Sequence, residues 1–183
     1  MPITLFLGGT RSGKSALAEA AVSHCQAQKT LYVATAQGLD AAMRQRIQRH
    51  KQNRSAQWQT LECPRNLAPA VAQWLDSIPS QHTAAVLVDC VTLWMSNILC
   101  ALPQPDSLVF EQAAQAEIQA LLALTQRPQT HWFFVSGETG LGGIGTHPLE
   151  RAFHDGLGLA NQLLAAHSKA SYLCIAGKKL VLA

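Results

Sequence analysis

The residues best spaced for chemistry lie near the N-terminus, where Gly8-Gly9-Thr10-Arg11-Ser12-Gly13-Lys14-Ser15 fits the pattern G-x-x-x-x-G-K-[ST]. Glycines at these positions let successive backbone N–H groups turn inward around phosphate oxygens, and a following helix aims its positive end at them. In such a cradle the lysine reaches the β- and γ-phosphates and the serine hydroxyl binds Mg²⁺. The pattern carries weight only between a strand and a helix. Ile3 to Leu7 is a short apolar run suited to a buried strand, and beyond the loop Leu17, Ala18, Ala21, Val22 and Cys25 fall on one helical stripe.

A second magnesium partner is expected at the end of a neighbouring strand, and Asp89 follows the apolar run Ala84 to Val88. An aspartate there can also cap the next helix. With the cradle present, the metal role for Ser15 and Asp89 together is the favoured reading.

The one dense positive cluster runs from Asp40 to Arg54 and holds Arg44, Arg46, Arg49, Lys51 and Arg54. Such a run reads equally as a solvated helix face or as a counter-charge for a triphosphate. Met43, Ile47, His50 and Arg54 share one helical stripe, so His50 is either a packed histidine or a nucleophile toward phosphorus. His24, His82, His131, His147 and His167 show no spacing that suggests a metal.

These groups need a frame. Strands are predicted at Ile3 to Leu7, Thr30 to Ala34, Ala84 to Val88, His131 to Ser136 and Tyr172 to Ala176. Helices are predicted over Ser15 to Gln28, Asp40 to about Asn53, Leu67 to Ile78, Val91 to Leu102, Leu108 to Gln126 and Leu149 to about His167. A break falls at Pro103-Gln104-Pro105-Asp106, and a glycine-rich loop spans Gly137 to Gly145. The alternation predicts an α/β, doubly wound, mostly parallel sheet with helices on both faces, in one domain over residues 1–183.

Bulk properties narrow the partners. A formal charge of +3 is too small for a nucleic-acid binder, and no run approaches the length of a membrane span. Five scattered cysteines with no C-x-x-C pair fit a reducing cytoplasm better than a disulfide framework.

Several segments together resemble the bifunctional adenosylcobinamide kinase and adenosylcobinamide-phosphate guanylyltransferase family of cobalamin biosynthesis. They are the loop Gly8 to Ser15; Tyr32-Val33-Ala34-Thr35-Ala36; Arg46-Ile47-Gln48-Arg49-His50-Lys51 with Arg54, Trp58 and Glu62; and Val88-Asp89-Cys90-Val91-Thr92-Leu93-Trp94-Met95-Ser96-Asn97. The His-x-x-x-Arg-x-x-x-Trp-x-x-x-Glu spacing is far narrower than the loop alone. The resemblance implies a P-loop NTPase-like fold, ATP or GTP with Mg²⁺ for phosphorylating adenosylcobinamide, and GTP as the source of GMP for its phosphate. It implies that His50 attacks the α-phosphorus of GTP, and that Ala34, Thr35, Ala36, Lys51, Gln52, Asn53, Arg54, Glu62 and Asp89 line the nucleotide site. A homotrimer is implied too.

The chain departs from the family pattern in its later half. Gly137-Glu138-Thr139-Gly140 stands where Asn-Glu-Val-Gly is usual, Leu141 to Pro148 is unusually rich in glycine, and Phe153-His154-Asp155 replaces Phe-Arg-Asp. His154 in place of arginine removes a fixed charge from the side expected to handle the acceptor phosphate. Two rival functions use the same cradle: a different small-molecule kinase with His50 merely packed, and a nucleotide-dependent switch without turnover.

Overall fold

The structure is a computed structural model and describes residues 3–103 and 106–182, with Asn53 described in its backbone only. Gln104 and Pro105, within the predicted break, lie outside the described residues.

The elements are β1 (Ile3–Leu7), α1 (Lys14–His24), β2 (Lys29–Ala34), α2 (Ala41–Asn53), β3 (Gln59–Glu62), α3 (Leu67–Asp76), β4 (Ala84–Asp89), α4 (Val91–Leu99), α5 (Ser107–Leu124), β5 (Thr130–Ser136), α6 (Pro148–His167), β6 (Ala170–Ile175) and β7 (Lys178–Val181). They form a seven-stranded sheet ordered β3-β2-β4-β5-β1-β6-β7. All neighbouring pairs are parallel except β6 with β7.

The central strands are apolar along their length because both faces are covered. One face of the sheet, with Leu5, Val33, Val86 and Phe134, packs on α3, α4, α5 and α6. The other, with Phe6, Tyr32, Leu87 and Phe133, packs on Ala18 and Val22 of α1. Helices therefore cover both faces, as the alternation of elements predicts.

Two strands escape the sequence reading, and both are edges. In β3 only Leu61 is partly covered, and all four residues of β7 are exposed, so neither carries the apolar run of a buried strand. Predicted helices also overrun their ends. The chain leaves α1 at Cys25, and Gln26 turns it with φ +50°, so the helix does not reach Gln28.

Candidate active site

The cradle sits where β1 stops. Gly8 has φ +155°, and a Cβ there would lie 2.5 Å from the Cys174 carbonyl oxygen. Gly13 has φ +89°, and a Cβ would lie 2.9 Å from Gly177 Cα. The turn between β6 and β7 thus presses on the loop, and Gly177 N–H donates to the Ser12 carbonyl at 2.9 Å. Ser12 and Gly13 shape the loop from behind, while Gly8, Gly9, Thr10, Lys14 and Ser15 line a cleft of about 540 Å³. Arg11 is exposed with φ +57° and is not among the lining residues. Lys14 Nζ donates to the Gly9 carbonyl at 3.0 Å, which holds the ammonium over the loop.

Asp89 ends β4 and points into the same cleft. Ser15 Oγ donates to its Oδ1 at 3.4 Å and the Tyr32 hydroxyl to its Oδ2 at 2.6 Å. The cap position of α4 belongs to Cys90, so Asp89 is not spent on capping. Burial first, then the charge of Asp89, pushes the Tyr32 phenol upward, which keeps it a hydrogen donor. The same two causes push the Cys90 thiol up to about 11, leaving it a protonated thiol rather than a nucleophile.

Helix α2 starts on Asp40, whose carboxylate accepts from Met43 N–H at 2.6 Å. Among the described residues α2 contributes none to the core; Met43, Ile47, His50 and Arg54 instead face the cleft. The stripe that suggests a packed helix is the inner wall of the site. His50 Nδ1 comes within 4.0 Å of Asp89 Oδ2. Arg44, Arg46 and Lys51 line the cleft as well, so most of the charge run faces inward, whereas Arg49 does not. The Arg54 guanidinium lies 3.8 Å over the Tyr32 ring, a cation–π contact that fixes its place.

Of the other expected residues, Ala34, Ala36 and Glu62 line the cleft. Lys51 pairs with Glu62 and, by hydrogen bond and charge, holds its carboxyl below the ordinary range. Thr35 is buried and does not face the cleft; its Oγ1 donates to the Cys90 carbonyl at 2.7 Å and accepts Cys90 N–H at 2.9 Å. It braces the strand end that carries Asp89. Gln52 opens onto a smaller adjoining cleft beside Trp58, and the Asn53 side chain lies outside the described residues.

Three groups were missed in the sequence. Glu19 lies one helical turn after Ser15 and therefore on its face of α1, a spacing that could have revealed it. Oxygens of Glu19 and Asp89 and a ring nitrogen of His50 all lie within 4.8 Å of one another. Burial, then repulsion from Asp89, raises Glu19 to about 7, with Arg54 opposing. Tyr32 sits two residues before Ala34, on the same face of β2. Thr92, Leu93, Gly137, Glu138 and Thr139 form the remaining wall, where Gly137 N–H donates to Thr92 Oγ1. Asn161 reaches this wall from α6 by donating to the Gly137 carbonyl at 3.0 Å. His154 does not line the cleft. Its ring leans on Phe153 at 6.4 Å between centroids.

Comparison with known proteins adds a consistent set of relatives. The family model described as cobinamide kinase / cobinamide phosphate guanyltransferase matches residues 4–182. The bifunctional adenosylcobalamin biosynthesis protein CobU of Salmonella typhimurium (strain LT2) is 39% identical over 179 residues, covering 94% of this chain and 95% of its own. The protein of the same name from Escherichia coli (strain K12) is 37% identical over 179 residues, with coverage of 94% and 95%. Among solved structures, a protein from Pyrococcus horikoshii OT3 superposes with TM-score 0.53 at 7% identity, covering 98% of this chain and 85% of that one. That likeness speaks for the fold alone.

Proposed function

The chain belongs to the cobinamide kinase / cobinamide phosphate guanyltransferase family, and from that premise we propose that it phosphorylates adenosylcobinamide and then transfers GMP from GTP to the resulting phosphate. The observation that carries this reading is the meeting of His50 with the cradle. Its Nδ1 is 4.0 Å from Asp89, whose other oxygen is 3.4 Å from Ser15 Oγ, so a nucleophile and a triphosphate site share one cleft.

In the kinase step ATP or GTP lies on the loop with its γ-phosphoryl toward the substrate hydroxyl. Loose phosphoryl transfer is mostly positioning and charge neutralisation, which Lys14, the loop N–H groups and the arginines of α2 provide. Ser15 and Asp89 offer the hard oxygen donors that Mg²⁺ prefers, and the cation would neutralise charge on the bridging phosphates. In the transfer step a neutral imidazole of His50 attacks the α-phosphorus of GTP, pyrophosphate leaves, and GMP rides on the ring until the corrinoid phosphate collects it. Lys14 and Arg54 stabilise the departing pyrophosphate. Ala34, Ala36, Lys51 and Glu62 complete the nucleotide wall, with Thr35 acting behind it and Gln52 and Asn53 at its margin.

The enzyme works as a homotrimer in the cytoplasm on this reading. Leu141 and Ile144, 80% and 89% exposed on the glycine-rich loop, offer apolar surface of the kind a subunit contact covers. Five free cysteines suit a reducing compartment, and no helix among the described residues is long and apolar enough to cross a membrane.

Incubating the protein with α-labelled GTP and Mg²⁺, then weighing it intact, tests the proposal. One GMP should be added to wild type, in acid-labile and base-stable linkage, and none to His50→Asn, which should retain a measurable kinase rate. No adduct on wild type, or an adduct on the Asn variant, would overturn the assignment.

A further inference from the structure

The imidazole of His50 has two nitrogens, and only the one whose lone pair is free can bond to phosphorus. Which one that is depends on what holds the other. Nδ1 is the nitrogen turned toward Asp89, at 4.0 Å from its Oδ2. That oxygen already accepts the Tyr32 hydroxyl at 2.6 Å, and Oδ1 accepts Ser15 Oγ. Glu19 stands in the same triangle, within 4.8 Å of both His50 and Asp89, and is half-buried. Among the described residues no donor is hydrogen-bonded to its carboxyl group. Helix α1 delivers it there because Ser15 and Glu19 are one turn apart on the face turned to β2 and β4.

We propose that Glu19 is a positioning residue for His50: its carboxyl oxygen accepts a hydrogen bond from Nδ1–H, with Asp89 alongside, and so commits Nε2 to bond with the α-phosphorus. The inference rests on the covalent transfer proposed above. The Nε2 lone pair attacks the α-phosphorus, the N–P bond forms, and the P–O bond to the β-phosphoryl group breaks, with its electron pair leaving on pyrophosphate. Nδ1 keeps its hydrogen, and the positive charge gained by the ring faces Glu19 and Asp89. In the second half an oxygen of the corrinoid phosphate attacks the same phosphorus and the N–P pair returns to Nε2. A carboxyl group retains an acceptor oxygen whether protonated or not, so the role does not require a particular charge on Glu19.

The test combines ring-¹⁵N histidine labelling with proton–nitrogen and phosphorus–nitrogen correlation spectra, His50 being assigned by its absence from His50→Asn. Free imidazole side chains favour hydrogen on Nε2, so the expected opposite tautomer, Nδ1–H, is diagnostic. After GTP treatment phosphorus should couple to Nε2. Glu19→Ala should lose the Nδ1–H preference and slow adduct formation roughly 10–100-fold, the loss typical of a metal-bound histidine deprived of its orienting partner. Glu19→Gln keeps an acceptor oxygen at the same reach and should restore both. GMP on Nδ1, an Nε2–H ring in the resting enzyme, a Glu19→Ala enzyme with unchanged tautomer and rate, or a folded Glu19→Gln enzyme no better than the alanine variant would each overturn the proposal. GMP on no histidine at all would instead sink the proposed function itself. The wild-type spectra stand even if a variant fails to fold.

Discussion

Replacing Gly13 by alanine tests whether the cradle owes its shape to the hairpin behind it. The backbone there has φ +89° and ψ 3°, a region that costs an L-residue roughly 1–3 kcal/mol. The new Cβ would also sit 2.9 Å from Gly177 Cα, closer than such atoms approach, so the β6–β7 turn has to move. Overpacking against backbone adds roughly 1–3 kcal/mol. Displacing the turn weakens the 2.9 Å hydrogen bond from Gly177 to Ser12, worth roughly 0.5–1.5 kcal/mol. Together these amount to about 2.5–7.5 kcal/mol, a large part of the roughly 5–15 kcal/mol that holds a domain folded. For a chain of this size each kcal/mol moves Tm by about 2–4 °C, so Gly13→Ala should melt at least about 5 °C below wild type by circular dichroism. Its nucleotide affinity by calorimetry should fall in parallel. Gly9→Ala is the control, because a Cβ there meets nothing within 4 Å, and its Tm should stay close to that of wild type. If Gly13→Ala keeps both wild-type Tm and wild-type nucleotide affinity, the hairpin does not brace the cradle and the reasoning fails.

Lys14→Ala and Ser15→Ala should each weaken both activities in parallel rate assays, because either reaction needs the triphosphate held; wild-type rates in both would refute the cradle. Tyr32→Phe removes the 2.6 Å hydrogen bond to Asp89 and should cost about 1.5–3 kcal/mol in urea unfolding, the usual worth of a bond to a charged group. An unchanged midpoint would show that Asp89 does not depend on it. Lys51→Ala breaks an exposed pair with Glu62 and should cost less than about 1 kcal/mol. Because Lys51 lowers the Glu62 carboxyl in the folded state, that small contribution is present above the unfolded carboxyl range. It is lost as pH falls through the folded one, so the variant and wild type should converge in stability in acid.

The glycine-rich loop and its place were legible in the sequence because their logic is local: a glycine spacing, a lysine, a serine, and the two elements that flank them are all read within one stretch of chain. The buried strands were legible for a related reason, since β1, β4 and β5 are apolar on both faces wherever both faces are covered. The edge strands β3 and β7 were not, because an edge needs only backbone partners and leaves its side chains in water. Asp89 and His50 could be picked out by type, yet each kept two meanings, cap or ligand for one and core or nucleophile for the other. Tertiary structure decided where each one stands: strand order sets β4 two places from β1, so Ser15 meets Asp89, and α2 stands over the cleft with its apolar stripe turned to it. The same long-range packing seats Thr35 beneath the site and His154 away from it, and it adds Glu19 to the triangle. Helical periodicity says only that Glu19 and Ser15 share a face of α1. What that face meets is set by the contacts of distant segments, which no local pattern encodes.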